Sequence, residues 1–438
     1  MRRGEFVKVK ALLLFILSAC APTVYLFGQV DCNTSTKLVC QFPFSAQTLG
    51  VFASGSNSTS ALANAAEAVA TPINASIATQ LTQLPIPSAT VGVVTLQKKG
   101  SEFGTAFDNL GPVLTDRPDT VGKGHIFTGF SYQHFNFNAL AGQSLSNIPI
   151  GFSYAIGNVT SYEAVSNRVD FQLDQYVAVA TYGATRTTDV SVVLPINSVS
   201  LSVITSNFQG YQYNASTNSY GQIFSPQTSV SSVGSASGVG DVTVILKHMV
   251  VGQEGSRGSI ATGASARFPT GDALNYLGSG AFGGNVYGLF EYRARLAPHL
   301  KVSYQWNSNS QVMNLQAAPN TGLPGGLQYA GGADFKIIRS LTLAADILGN
   351  QFVNVPSFTI GQTNLPGPSG KGGIPASISS TTPTNQTYTT ANFSGGLKWS
   401  PKAHFLLYGN VLVQMNNVGL RSDPVPLFGI AYNFKTRR

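Results

Sequence analysis

Lys301-Val302-Ser303-Tyr304-Gln305-Trp306 alternates polar and apolar side chains one by one. That is the period of a strand with one face in an apolar medium and the other in a polar one. The same period recurs along the chain. Ile126, Thr128, Phe130 and Tyr132 alternate with Gly129, Ser131 and Gln133; Val169, Phe171 and Leu173 with Asp170, Gln172 and Asp174; Val190, Val192 and Leu194 with Asp189 and Ser191. Val242, Val244 and Leu246 alternate with Asp241, Thr243 and Lys247, and Phe393, Leu397 and Trp399 with Asn392, Ser394 and Lys398. The pattern predicts strands over 124–137, 166–183, 187–203, 239–253, 258–269, 284–297, 299–313, 326–338, 340–353, 390–400, 402–415 and 424–434.

The connections between these strands alternate in length. Short ones fall at Gly183 to Thr187, Gln253 to Gly258, Ala297 to His299, Arg339, and Ser400 to Pro401. Long ones span 138–165, 204–238, 270–283, 314–325 and 354–389, with 416–423 only modestly longer than a turn. Outer-membrane barrels have short periplasmic turns, longer outside loops and an even strand number. A chain whose N-terminus starts in the periplasm places each connection on the side its length requires. The reading is therefore an all-β fold: a transmembrane antiparallel up-and-down β-barrel of about 12 strands. The last strand carries Phe428, Ile430, Tyr432 and Phe434 on one face, and Tyr132, Tyr292, Tyr304, Trp306, Trp399 and Tyr432 fall near strand ends, where interfacial girdles belong.

Composition agrees. Charged residues are 10% of the chain, against roughly 25% in soluble proteins, yet mean hydropathy is only +0.10. Past the leader no apolar run approaches the roughly 20 residues a membrane helix needs. The net charge of +8 is scattered, with much of the excess in Arg2, Arg3, Lys8, Lys10, Lys435, Arg437 and Arg438. No clustered basic face of the kind nucleic acid requires is present.

The N-terminus reads as an export signal, with a basic region followed by the apolar run Ala11 to Ala19. Two processing readings stay open. Leu17-Ser18-Ala19-Cys20 resembles a lipobox that would leave Cys20 lipidated, and cleavage near Gly28 would remove it. In the second case Cys32 and Cys40 remain, close enough to pair in an oxidising periplasm. The expected division is a signal peptide at 1–28, an N-terminal extension at 29–123, the barrel at 124–434 and a basic tail at 435–438. Within the extension, Ser60 to Ala70 predicts a short helix, and Thr71-Pro72 restarts a second whose stripe is Ile73, Ile77, Leu81 and Leu84 and which stops at Pro85. Val91 to Asp119 has the texture of a hairpin around Lys98-Lys99-Gly100. This short, partly helical segment is either a periplasmic extension or a plug.

Charges on the polar strand faces are the candidates for chemistry, because Lys or Arg at the mid-plane of a lipid face costs about 2–4 kcal/mol each. Asp170, Asp174, Asp189, Asp241, Lys247, Arg267, Glu291, Arg293, Asp334, Lys336, Asp346 and Lys398 are expected to point into the lumen, as paired charges that stiffen it or as the lining of a pathway. Asp272, in Pro269-Thr270-Gly271-Asp272, suits a turn and is a candidate ligand-binding residue. The histidines His125, His134, His248, His299 and His404 have no Ser or acid partner in sequence context, and no Cys or His pair shows metal-ligand spacing. No enzymatic activity, cofactor or metal is expected.

Leu110-Gly111-Pro112-Val113-Leu114-Thr115-Asp116-Arg117, Thr188 to Pro195, Gly238 to Val242 with Lys247, Pro269 to Asp272 and Leu341 to Asp346 together resemble outer-membrane transporters related to the MetA-pathway phenol-degradation family. The resemblance spans roughly 110–434. It implies a barrel that passes small solutes, hydrophobic or aromatic ones included. The expected partners are outer-membrane lipid, the barrel assembly machinery and a small-molecule solute. Two alternatives stay open: a structural or adhesive barrel acting through its outside loops, and a barrel hydrolase.

Overall fold

The computed structural model describes residues 32, 35–42, 49, 59–88, 98–99, 102–103, 110–225, 227–252, 256–313, 321–338, 340–365, 377–402 and 404–435. The expected leader, both expected processing sites and the tail beyond Lys435 lie outside them. Twelve strands form the wall: β1 (His125–Leu140), β2 (Val159–Gly183), β3 (Thr188–Asn214), β4 (Ser229–Val239, resuming as Val242–Val251), β5 (Gly258–Phe268), β6 (Gly283–Tyr292), β7 (Leu296–Asn307), β8 (Gly326–Ile338), β9 (Leu341–Asn364), β10 (Ser377–Lys402), β11 (Phe405–Gln414) and β12 (Val425–Lys435). Each pairs antiparallel with the next. β12 pairs with β1 from Leu427↔Gln133 to Lys435↔His125, which closes the sheet and leaves no barrel edge.

The exterior is an apolar belt. On β7, Leu296, Leu300, Val302, Tyr304 and Trp306 are exposed, while Ala297, His299, Ser303 and Gln305 between them are buried. Leu296 to Trp306 is ten steps along the strand, about 33 Å at 3.3 Å per residue. Tilted about 40°, that gives the roughly 25 Å height of an outer-membrane apolar band. Tyr182, Tyr292, Trp399 and Tyr432 face outward at the end of the barrel with the short turns, and Tyr176, Tyr304, Trp306 and Tyr329 at the other. No helix among the described residues is long and apolar enough to cross a membrane. A closed barrel with this belt is how strands cross a bilayer, and the chain is a transmembrane barrel of the outer-membrane type.

The wall is taller than the alternation alone predicts. β2 and β3 run 25 and 27 residues and stay paired up to Val159↔Asn214. β9 and β10 run 24 and 26 and stay paired up to Asn364↔Ser377. The expected loops 138–165, 204–238 and 354–389 are therefore largely extended hairpins standing beyond the membrane. Ile148–Ile156 adds a further strand beside β2. The two rises meet where Gly151 N donates to Thr381 Oγ1 at 3.1 Å. A side chain at Gly151 would run into the Ser379 carbonyl, so only glycine permits this approach.

In these rises the two faces exchange polarity. On β3, Val190, Val192 and Ile196 face outward below, but Ser198, Ser200 and Ser202 do so above, where Val199, Leu201 and Val203 turn inward. On β2 the inward residues are Val169, Phe171 and Leu173. Beyond the bilayer the outside is water, so the apolar set moves to the interior. There it joins Phe135, Phe137, Ile73, Ile77 and Tyr276 in one core, with Phe171 4.7 Å from Phe137 and 5.7 Å from Tyr276 between ring centroids.

Helix α1 (Thr59–Leu81) supplies part of that core. It is one helix through Pro72, not the two predicted on either side of Thr71-Pro72. It also ends before Pro85, at Leu81. Thr71 Oγ1 donates to the Glu67 carbonyl at 2.8 Å. Burial holds the turn together where the isolated sequence would break, as tertiary context overrides propensity. The hairpin texture at Lys98-Lys99 corresponds to a short pair, Lys98–Lys99 with Glu102–Phe103.

Candidate functional site

Residues 110–122 cross the interior at the end with the short turns, and the barrel's inward charges hold them. Lys398 Nζ donates to the Leu110 carbonyl at 2.9 Å and to the Pro112 carbonyl. Lys247 Nζ donates to the carbonyls of Arg117 and Asp119 at 2.9 and 2.6 Å. The Leu110 amide donates to Thr342 Oγ1 at 3.0 Å, and the Val121 amide to Asp189 at 3.0 Å. A segment without a sheet partner must satisfy its backbone groups some other way. Here strands β3, β4, β9 and β10 each contribute a side chain to that task.

The segment returns charge to the wall. Arg117 meets Glu291 at 3.0 Å and Asp119 at 3.0 Å. Asp119 also pairs with Arg293. Burial works against both ionised groups. Even so, Glu291 and Asp119 hold Arg117 more firmly protonated than an ordinary guanidinium, and Arg117 and Arg293 hold the Asp119 carboxyl below its usual range. Asp116 accepts from Ser88 Oγ at 2.7 Å and lies 3.6 Å from Lys247 Nζ. Beside this cluster His299 stands between Asp346 at 2.5 Å and Asp334 at 3.4 Å, with all three side chains fully buried.

The middle and outer lumen are occupied too. Arg267 donates to the Thr82 carbonyl at 3.1 Å, and Gln133 Nε2 to the Pro85 carbonyl at 2.9 Å. The β5–β6 connection folds inward onto α1. Tyr276, fully buried there, donates to Asn74 Oδ1 at 2.6 Å, and burial raises its phenol pKa. Asn74 Nδ2 in turn donates to the Val39 carbonyl at 2.7 Å. Cys32 and Cys40 are joined in a disulfide, Cα–Cα 5.0 Å. The short helix Leu38–Cys40 inside that loop is tied to the connection by Leu38 N to Asn275 Oδ1 at 3.1 Å. Between residues 82–88 and the walls of β4 to β9 a cavity of about 220 Å³ remains, with Lys301, Tyr287, Asn285 and Gln328 on its wall and Gln83 and Leu84 opposite.

The expected lumen charges divide. Asp189, Asp241, Lys247, Glu291, Asp334, Asp346 and Lys398 are buried on the inner face, and Arg267 is half-buried there. Lys336 follows Asp334 on the inner face of β8 near the turn. Asp170 and Asp174 do not point inward. They sit on the outer face of β2, with side chains 50% and 39% exposed, Asp170 beside Arg168 and Asp174 2.8 Å from His134 Nδ1. They lie in the stretch that stands beyond the bilayer, so no lipid drives them inside. Asp272 is a cap: it accepts from Leu274 N at 3.1 Å and binds Lys37 Nζ at 2.6 Å. Arg293 sits in the β6–β7 turn and donates to the Ser256 carbonyl at 3.2 Å as well as to Asp119. That turn is 293–295, not Ala297 to His299, so His299 belongs to the interior of β7. Sequence reasoning passed over Arg117, Asp119, His299 and Lys301. The available signal was the inward parity of so many charges at one level of the wall, which demands counter-charges from elsewhere in the chain.

The chain matches no protein-family model and no curated protein sequence. Among solved structures it is similar to an outer-membrane channel of the COG4313 group from Pseudomonas putida F1, at 13% identity and a TM-score of 0.41 over 72% of this chain and 98% of that one. It is similar to the NanC porin at 9% identity and a TM-score of 0.33 over 71% and 100%. It is also similar to the CymD monoaromatic hydrocarbon channel at 9% identity and a TM-score of 0.31 over 72% and 90%. These likenesses are of fold alone, and the barrel itself rests on the strand pairing described above.

Proposed function

We propose that the chain is an outer-membrane channel for the passive passage of small solutes, closed at rest by its own N-terminal segment. The observation that carries this reading is how residues 110–122 are held. They are fixed to the wall by side chains, chiefly Lys398 and Lys247 on main-chain carbonyls, and not by strand pairing. Such a segment can leave without breaking the barrel's ladder. Once it leaves, it uncovers a polar lining of Asp189, Lys247, Thr342, Ser394, Lys398 and Asn410. The finer part of the reading is that hydrophobic or aromatic solutes are among those passed. It draws on the resemblance of 110–434 and on the apolar side chains Leu84, Ile245 and Leu348 in the cavity wall.

Liposome swelling tests this. The full-length chain should pass small solutes slowly, and Lys247→Ala, which frees the Arg117 and Asp119 carbonyls, should pass them several-fold faster. Liposomes that swell no faster than protein-free ones with either chain would refute the reading. One observation favours the adhesive alternative as a second reading: the β2–β3 and β9–β10 hairpins stand tall beyond the membrane. Trimming those hairpins would then abolish partner binding and leave swelling unchanged.

A further inference from the structure

The cavity left inside the closed barrel is about 220 Å³. Its polar groups are unevenly satisfied. Arg267 is already engaged, 3.6 Å from Asp241 and donating to Asn307 Oδ1 at 2.6 Å. Asp116 is engaged by Lys247 and Ser88. Lys301 differs. It projects from the inner face of β7 with Nζ 5.1 Å from the centroid of the Tyr287 ring. Among the described residues no carboxylate lies within 4.0 Å of it. Tyr287 Oη, Asn285 Oδ1 and both amide atoms of Gln83 are buried on the same cavity with no hydrogen-bond partner in the protein.

An ammonium with no ion pair within 4.0 Å among the described residues, reached only at longer range by an Asp116 that Lys247 and Ser88 already engage, and a set of unspent polar groups favour a ligand that brings a nearer negative charge. A cation would be repelled by Lys301, and a neutral solute would leave it without a contact ion pair. A carboxylate satisfies Lys301 and takes hydrogen bonds from Tyr287 Oη and Gln83 Nε2. The rest of the wall is apolar at Leu84, Ile245 and Leu348, which suits a ring or short chain. We propose that this cavity is a binding site for a small aromatic or apolar carboxylate, with Lys301 holding its charged end. The inference rests on the channel reading above and names the solute class of that same path.

Calorimetric titration of the detergent-purified full-length chain tests it, with benzoate and benzyl alcohol as probes of one ring and two charges. Benzoate should bind about tenfold or more tighter than benzyl alcohol, as a charge-assisted contact predicts. Lys301→Met should erase that preference, and Lys301→Arg should keep it. Equal binding of the two probes by the native chain overturns the proposal, as does an undiminished benzoate preference in Lys301→Met. If Lys301→Met does not assemble, the native pair of titrations and Lys301→Arg decide. Benzoate binding through Lys301 in a chain that gives no swelling would sink the channel reading and leave the site. Swelling without benzoate preference would sink the site and leave the channel.

Discussion

Arg117→Ala is expected to cost the closed state about 3–5 kcal/mol, because it strands a buried carboxylate. Glu291 is 0% exposed, and Arg117 is its ion-pair partner at 3.0 Å. Asp119 keeps Arg293 and is less affected. The cost falls on the docking of residues 110–122 more than on the barrel, whose ladder does not pass through them. Hydrogen exchange therefore reads it directly: the Leu110 and Val121 amides, which donate to Thr342 and Asp189, should lose protection by about 100-fold or more, the equivalent of 3 kcal/mol. Arg117→Met combined with Glu291→Met removes both charges and should recover most of that loss, since replacing a buried pair with apolar residues is often close to neutral. Unchanged protection in Arg117→Ala would contradict the lock, and so would a double variant no better than the single one.

The second large effect separates lipid-facing from water-facing positions on the same outer surface. Leu300 lies near the middle of the β7 belt and is 47% exposed. Leu300→Lys should destabilise the folded barrel by about 2–4 kcal/mol, as a cation at the bilayer mid-plane does. Ser200 also faces outward, on β3, but above the level where the belt ends. Ser200→Lys should change stability by less than about 0.5 kcal/mol, as surface substitutions do. Urea unfolding in lipid vesicles gives both numbers. Equal effects at the two positions would mean that the polarity switch on β3 does not mark the membrane boundary.

That switch also explains how far the fold was legible in the sequence. Alternation fixed the strands wherever one face meets lipid, as on β7 and β12, and the lengths of the connections set the direction of each crossing. Alternation does not say which medium each face meets. Val169, Phe171 and Leu173 alternate with Asp170, Gln172 and Asp174 just as a membrane strand would, yet here the apolar set faces a protein core and the acids face water. The long connection 354–389 is rich in Ser and Thr and lacks an apolar stripe, so nothing in its pattern announced an extended hairpin. Most inward charges were recognisable, because lipid excludes them. Their partners were not. Arg117 and Asp119 sit 174 positions from Glu291 and Arg293, and only the folded barrel brings them together. Pro72 misled in the opposite direction, since a local rule predicted a break that burial overrides.

The planar-bilayer conductance of the chain with and without residues 29–123 tests the central claim most directly. If that segment fills the lumen of a transmembrane barrel, the full-length chain should be closed or nearly so. The shortened chain should then insert as a stable barrel with steady open-channel steps. Equal conductance in the two chains, with the shortened one correctly assembled, would contradict it.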